Sequence, residues 1–223
     1  INGFIAYLKT AKNGNFEGQK NQPTIAQNTA HKLYAKFCTI IKTAIKAEII
    51  SINPLDKIDS KDTPKTEASK REYLTIPELK KLIATDCKRT EIKNAFLFCC
   101  LVGIRYSNVK NIVWGDIDFQ KAGATLSYKQ IKVDKYETLP ISEAALKFLP
   151  TDTDIHPESK IFNLPKNETV NDTLRAWTKA AGIRKTITFH SSRHTAATLQ
   201  LSLGTPIETV SKLLGHGKIA TTQ

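Results

Sequence analysis

The 223-residue chain contains no methionine, not even at position 1, which raises the expectation that sequence is missing at one or both ends. No apolar run reaches membrane-spanning length, and the start, INGFIAYLKTAKNGN, lacks the basic-then-apolar order of a signal peptide. No membrane association is therefore expected, and a soluble cytoplasmic protein is. The four cysteines, Cys38, Cys87, Cys99 and Cys100, form no CxxC pair. Cys99 and Cys100 lie in the apolar run AFLFCCLVG and read as reduced, buried thiols. Acidic residues are absent from three short motifs of the second half, GIRYSN, HSSRH and LLGHGK. A metal site in those motifs would want carboxylates or thiolates, so what they can build is an anion hole.

Cationic charge is what the chain has in quantity. Lys plus Arg number 33 against 21 for Asp plus Glu, a net charge of +12, which attracts polyanions before any specific contact forms. The basic residues are spread along the chain rather than gathered in a tail, and 40% hydrophobic residues suffice for packed cores. Nucleic acid is the expected partner; the plain alternative is a soluble basic protein. The length permits one large or two modest domains.

Residues 28 to 50 place Leu33, Phe37, Ile40, Ile41, Ala44 and Ile45 at helical spacing, with Lys32, Lys36, Lys42 and Lys46 on the remaining surface. This predicts an amphipathic helix with a basic, DNA-binding face, although a solvated lysine face would look the same. Pro54 closes the segment. The polar stretch IDSKDTPKTEASKR has the composition of an interdomain linker. The expected division is 1–58, 59–70 as linker, and 71–223. Beyond the linker, Thr75-Ile-Pro-Glu78 has capping-box spacing and predicts a helix to about Ala84. Residues 90 to 102 read as a buried helix stopped by Gly103, with Arg105 in the following turn. ATLSYKQ (124–130) and YETLPIS (136–142) read as a hairpin with Lys132 near its tip and Lys129 and Lys135 beside it. Helical patterns return over 143–149, 171–181, 192–203 and 206–214. The expected fold is mainly α with a small antiparallel β-sheet.

Five side chains stand out as a phosphate site: Arg105, Lys132, His190, Arg193 and His216. Arginine is always charged and offers a planar fork of donors suited to phosphate oxygens. His190 and Arg193 are three apart at a helix start, so both emerge on one face beside free backbone N–H groups. His216 follows the last helix, where Gly215 and Gly217 allow a tight turn. Any one of these histidines alone could be structural; the ordered set is harder to explain that way.

GIRYSNVKNIVWGDID around Arg105, the lysine of KQIKVDKYETLPIS, the HSSRHTAAT box and the closing LLGHGKIATTQ resemble the catalytic domain of tyrosine recombinases, the phage-type integrases, from about residue 70 onward. The details are most similar to integrases of conjugative transposons. The helical basic segment before residue 59, ending INPLDKI, resembles the family's core-binding, SAM-like domain. The resemblance implies a site-specific recombinase with a mixed α/β catalytic domain. A tyrosine attacks the scissile phosphate, forms a 3′-phosphotyrosyl link and releases a 5′-hydroxyl, without metal or other cofactor. It further implies that Arg105 and Arg193 hold the non-bridging oxygens, that Lys132 protonates the leaving oxygen, that His190 assists proton transfer and that His216 donates a hydrogen bond to the phosphate. Double-stranded DNA is the implied partner, in a homotetramer on paired sites, and a bacterial, nucleoid-associated protein of a mobile element is implied.

Two departures stand against that pattern. Asn108 occupies the position, three after Arg105, where the family often has an acidic residue, which leaves Asn108 or Asp116 to orient Arg105. None of the six tyrosines, Tyr7, Tyr34, Tyr73, Tyr106, Tyr128 and Tyr136, matches the nucleophile motif. The nucleophile is expected about two residues after Gln223, and residues 1–223 alone are expected not to cleave. The alternatives are a type IB topoisomerase, a non-catalytic DNA-binding module and a zinc hydrolase using His190 and His194. The last lacks the Glu of HExxH and has Arg193 beside the metal position.

Overall fold

Residues 90–102 (TEIKNAFLFCCLV) are apolar nearly all round, and a helix without a polar stripe must be covered on every side. The computed structural model, which describes residues 1–68, 71–120, 123–130, 135–151, 156–215 and 219 and only the backbone of Gln130 and Lys135, meets that requirement. The chain divides into two compact units, Ile1–Lys70 and Arg71–Gln223.

In the first unit, α1 (Asn2–Thr10) packs on α2 (Gln27–Lys46), with the rings of Phe4 and Phe37 4.8 Å apart. Ile5, Leu8, Ala11 and Ala30 form its small core. The helix expected over 28–50 thus ends at Lys46, and Glu48 adopts a positive φ of 59° just beyond. Lys32, Lys36, Lys42 and Lys46 are exposed, but the apolar set on the other side is only partly covered: Leu33 is 41% and Ile40 65% exposed. Seven residues apart, these two lie together on one edge of the apolar arc of α2. The stretch 59–70, linker-like in composition, lies in this unit. The Asn28 side chain donates to Glu67 O at 2.9 Å and accepts from Glu67 N at 2.8 Å, while His31 Nδ1 lies 2.7 Å from Pro64 O.

The second unit is built around α4 (Thr90–Val102), which packs against α6 (Glu143–Leu146), α7 (Asn167–Ala180), α8 (Ser191–Ser202) and strand β3 (Lys135–Ile141). Its core includes Phe96, Phe98, Phe162 and Phe189. Cys99 and Cys100 are buried free thiols, and burial raises both pKa values, so they behave as small apolar groups. Ahead of it, α3 (Ile76–Ala84) starts with the expected capping box: Thr75 and Glu78 bond each other's backbone N–H. The sheet is an antiparallel meander, β1 (Ile117–Gln120), β2 (Gly123–Gln130), β3, with Leu126 facing Leu139 across β2 and β3. Its inner face carries Ala124, Leu126, Tyr128, Leu139 and Ile141. The mainly α fold with one small sheet is therefore as expected; β1 and α1 are additions, and α7 starts four residues before the expected 171. No helix among the described residues is long and apolar enough to cross a membrane.

Candidate active site

Gly103 terminates α4 in the left-handed conformation, φ +79°, and turns the chain into α5 (Tyr106–Val109), with Arg105 at its N-cap. A Cβ at Gly103 would come 2.7 Å from Leu214 Cδ2, so both backbone angle and space favour glycine there. The half-buried Arg105 thus sits at the mouth of a turn held from beneath. Tyr106 fixes that turn laterally: its hydroxyl donates to Pro165 O at 2.7 Å, and its ring meets Phe189 at 5.0 Å. Phe189 immediately precedes His190, the N-cap of α8, so one aromatic contact sets the spacing between the GIRYSN turn and the HSSRH helix.

The remaining letters of HSSRHT are structural. Ser191 Oγ accepts from Thr188 N at 3.1 Å, and Ser192 Oγ donates to Phe189 O at 2.7 Å. Thr195, fully buried, donates to Ser191 O at 2.8 Å and accepts from Leu74 N at 3.0 Å, tying α8 to the segment ahead of α3. Arg193 is 4% exposed. Its Nη1 donates to Gly103 O at 2.8 Å and its Nη2 to Leu214 O, the C-cap carbonyl of α9 (Ile207–Leu213). Helix C-terminal carbonyls lack intrahelical partners and carry partial negative charge, so they are apt acceptors for a buried guanidinium. The two bonds use two of its five N–H groups and fix the plane of the fork.

Cations crowd this point. Burial, then Arg105, pushes the Arg193 pKa down to about 10, so the group stays charged at neutral pH; Tyr128 and Glu137 oppose the fall. The His190 ring keeps an edge in solvent, and packing beneath it together with Arg193, Arg105 and Arg71 lowers its pKa. His194, whose ring meets that of His190 edge-on at 4.9 Å, is pushed to about 4 by burial and then by His190, Arg71 and Arg193. Both imidazoles are therefore neutral at pH 7 among fixed positive charges, as suits a site that receives an anion. No group of three His, Cys, Asp or Glu placed to hold a metal occurs among the described residues.

The structure thus brings Arg105, His190 and Arg193 together. Lys132 and His216 lie outside the described residues, as does the Lys135 side chain. Lys129 is exposed on β2 and paired across the ladder with Tyr136. Asp116, named with Asn108 as a support for Arg105, accepts from Val113 N at 2.9 Å and so closes its own turn. Three participants were not anticipated. Arg71 reaches the site only through the tertiary fold. Tyr128 and Glu137 are joined by a 2.9 Å hydrogen bond on the inner face of the sheet. A signal for Glu137 was present, because strand alternation in KYETLPI puts it on the face of Leu139 and Ile141.

A two-unit chain whose helical second half wraps a three-stranded sheet, with a buried arginine between helix ends, has the tyrosine recombinase fold. Phage lambda integrase, solved as a dimer bound to a core site, superposes with a TM-score of 0.71 at 19% identity, over 98% of this chain and 76% of that one. The Tn1549 transposon integrase, solved with circular-intermediate DNA, gives 0.70 at 17%, over 99% and 78%. The family model for the phage integrase family matches residues 72–223 and that for the phage integrase SAM-like domain matches residues 1–62. The tyrosine recombinase XerC of Caldanaerobacter subterraneus subsp. tengcongensis is 33% identical across this whole chain and 63% of its own length. The chain belongs to the phage integrase family. It spans 63%, 58% and 62% of three curated relatives, about three-fifths of their length.

Proposed function

We propose that the chain is the DNA-holding and phosphate-binding part of a site-specific DNA recombinase that integrates and excises a mobile element. One observation carries this reading: Arg193 is buried and aimed by the carbonyls of Gly103 and Leu214 into a cluster that also holds Arg105 and His190. A guanidinium so fixed serves a phosphodiester better than a mobile surface charge, because its orientation is settled before the reaction. Residues 1–58 act as the core-binding domain, with Lys32, Lys36, Lys42 and Lys46 on backbone phosphates. Residues 71–223 act as the catalytic domain, to which Lys129 and Lys135 add phosphate contacts.

In the reaction, a tyrosine encoded beyond Gln223 attacks phosphorus, the bond to the 5′ oxygen breaks, and that oxygen takes a proton from Lys132. His190, kept neutral by its surroundings, accepts the tyrosine proton, and His216 donates to a non-bridging oxygen. Arg105 and Arg193 neutralise the charge that builds on the non-bridging oxygens. Bond energy is retained in the phosphotyrosyl link, so the reaction reverses onto a new 5′-hydroxyl without a cofactor. The protein works on DNA in the bacterial cytoplasm, as a homotetramer on paired sites.

The test uses the longer natural protein and a duplex selected by binding from a random-sequence pool. The selected duplex, nicked next to the cleavage point so that religation fails, is expected to accumulate a covalent protein–DNA adduct. Binding without any adduct would favour a DNA-binding module. Relaxation of supercoiled plasmid lacking the selected site, at the same rate as plasmid carrying it, would favour a topoisomerase.

A further inference from the structure

β3 carries an acid on its buried side. Glu137 shares the inner face with Leu139 and Ile141, 4% and 3% exposed, where an apolar residue is the norm. Glu137 itself is half-buried, and Tyr128, directly opposite on β2 and buried, donates to its Oε2 at 2.9 Å. The same phenol lines a small cavity together with Asn108, also buried, on α5. Asn108 N in turn donates to Arg105 O at 2.9 Å. Glu137 and Tyr128 thus form a short chain that ends beside Asn108 and the turn that bears Arg105.

Two guanidiniums in one partly dry pocket repel each other, and at short range in low dielectric that repulsion is large enough to displace a side chain. Arg193 cannot relieve it by moving into water, being buried. The negative field of Glu137 acts on Arg193 in the opposite sense to that of Arg105; Tyr128, whose phenol burial keeps protonated, holds that carboxylate in place.

We infer that Glu137 is a positioning residue for Arg193: its carboxylate, held by Tyr128 beside Asn108 and the Arg105 turn, supplies the negative charge that lets both arginines stay aimed at one phosphate. This rests on reading the cluster as the scissile-phosphate site. Asn108 occupies the position three after Arg105, and the carboxylate comes instead from the facing strand. The role is confined to orientation. Glu137 is an anion and contributes nothing to phosphate attraction.

That opposition of effects supplies the test, made in the longer natural protein on the selected, nicked duplex. Glu137→Gln keeps an acceptor for the Tyr128 hydroxyl and removes only the charge. It is expected to bind the duplex as well as the parent or better, while single-turnover cleavage falls about tenfold, as expected for a misaimed catalytic group. Tyr128→Phe is expected to act in the same direction. The double variant should be no slower than the slower single, because both interrupt one chain. Should Glu137→Gln fail to melt cooperatively, Tyr128→Phe carries the same comparison. Cleavage at the parental rate in the folded variant, or equal losses of affinity and rate, would overturn the inference. Arg193→Ala run alongside separates the two levels: if it cleaves normally, the site reading itself fails; if it is inactive while Glu137→Gln is normal, only the role of Glu137 falls.

Discussion

Arg193 donates through Nη1 to the carbonyl oxygen of Gly103 at 2.8 Å, so the arginine of the HSSRH helix rests on the turn that presents Arg105 two residues later. Residues 90 positions apart are thereby made one unit. The bond explains why a helix stop and a charged motif occur together in GIRYSN. The C-cap conformation that ends α4 also turns its last carbonyl towards the guanidinium.

Gly103→Ala should therefore damage the site more than the fold. The left-handed backbone angle costs a non-glycine residue about 1–2 kcal/mol, and the new methyl meets the Leu214 side chain at 2.7 Å. Leu214 bears the second acceptor for Arg193, so its displacement shifts the fork. Thermal melting is expected to show a modest loss, and single-turnover cleavage a loss well beyond it. Parental cleavage in the folded variant would mean that the turn does not aim Arg193.

Acid should weaken the second unit through His194. Its folded-state pKa of about 4 lies below the ordinary value near 6.5, so between those values the unfolded chain binds a proton that the folded chain refuses. Stability is full above about pH 6.5 and is lost progressively as pH falls towards 4. His190 adds to the loss in the same direction, as does Glu78, whose carboxyl is lowered because bonds from Lys185 and Thr75 outweigh its burial. Melting of His194→Gln between pH 7 and 4.5 should show a shallower decline than the parent; an identical decline would remove His194 as the cause.

Lys132 and Arg193 should fail in different ways. A general acid matters most when the leaving group is poor, so a 5′-bridging phosphorothioate, whose sulfur leaves without a proton, should restore cleavage to Lys132→Ala and not to Arg193→Ala. Rescue of Lys129→Ala or Lys135→Ala instead would shift the acid to another position of the hairpin. No rescue at any of the three would make the hairpin structural.

Local signals in the sequence translated well into structure. The capping box of Thr75 and Glu78, the glycine stop at Gly103 and the hairpin strands are each fixed by neighbours a few residues away. α1 has no side-chain N-cap, and β1 exposes three of its four residues, so neither announced itself. Leu33 and Ile40 have helical spacing with an apolar set yet stay exposed, because periodicity states which side of a helix is apolar and not how much of it a neighbour covers. Arg105, His190 and Arg193 were legible as residue types in order. Their geometry was not, since it depends on Gly103 O and Leu214 O, brought to Arg193 only by the packing of α8 on α4 and on α9.

The most direct test of the phosphate site is single-turnover cleavage of the selected duplex by the longer protein and its Arg193→Ala variant, each at saturating DNA and with affinity measured separately over a salt series. One charge among many phosphate contacts changes affinity little, whereas a donor aimed at transition-state charge is worth on the order of a hundredfold or more in rate. Near-parental binding with a similar salt slope is expected, with adduct formation slowed by at least that factor. Adduct formation at the parental rate once the DNA is saturated would contradict it, because Arg193 would then be a binding residue only.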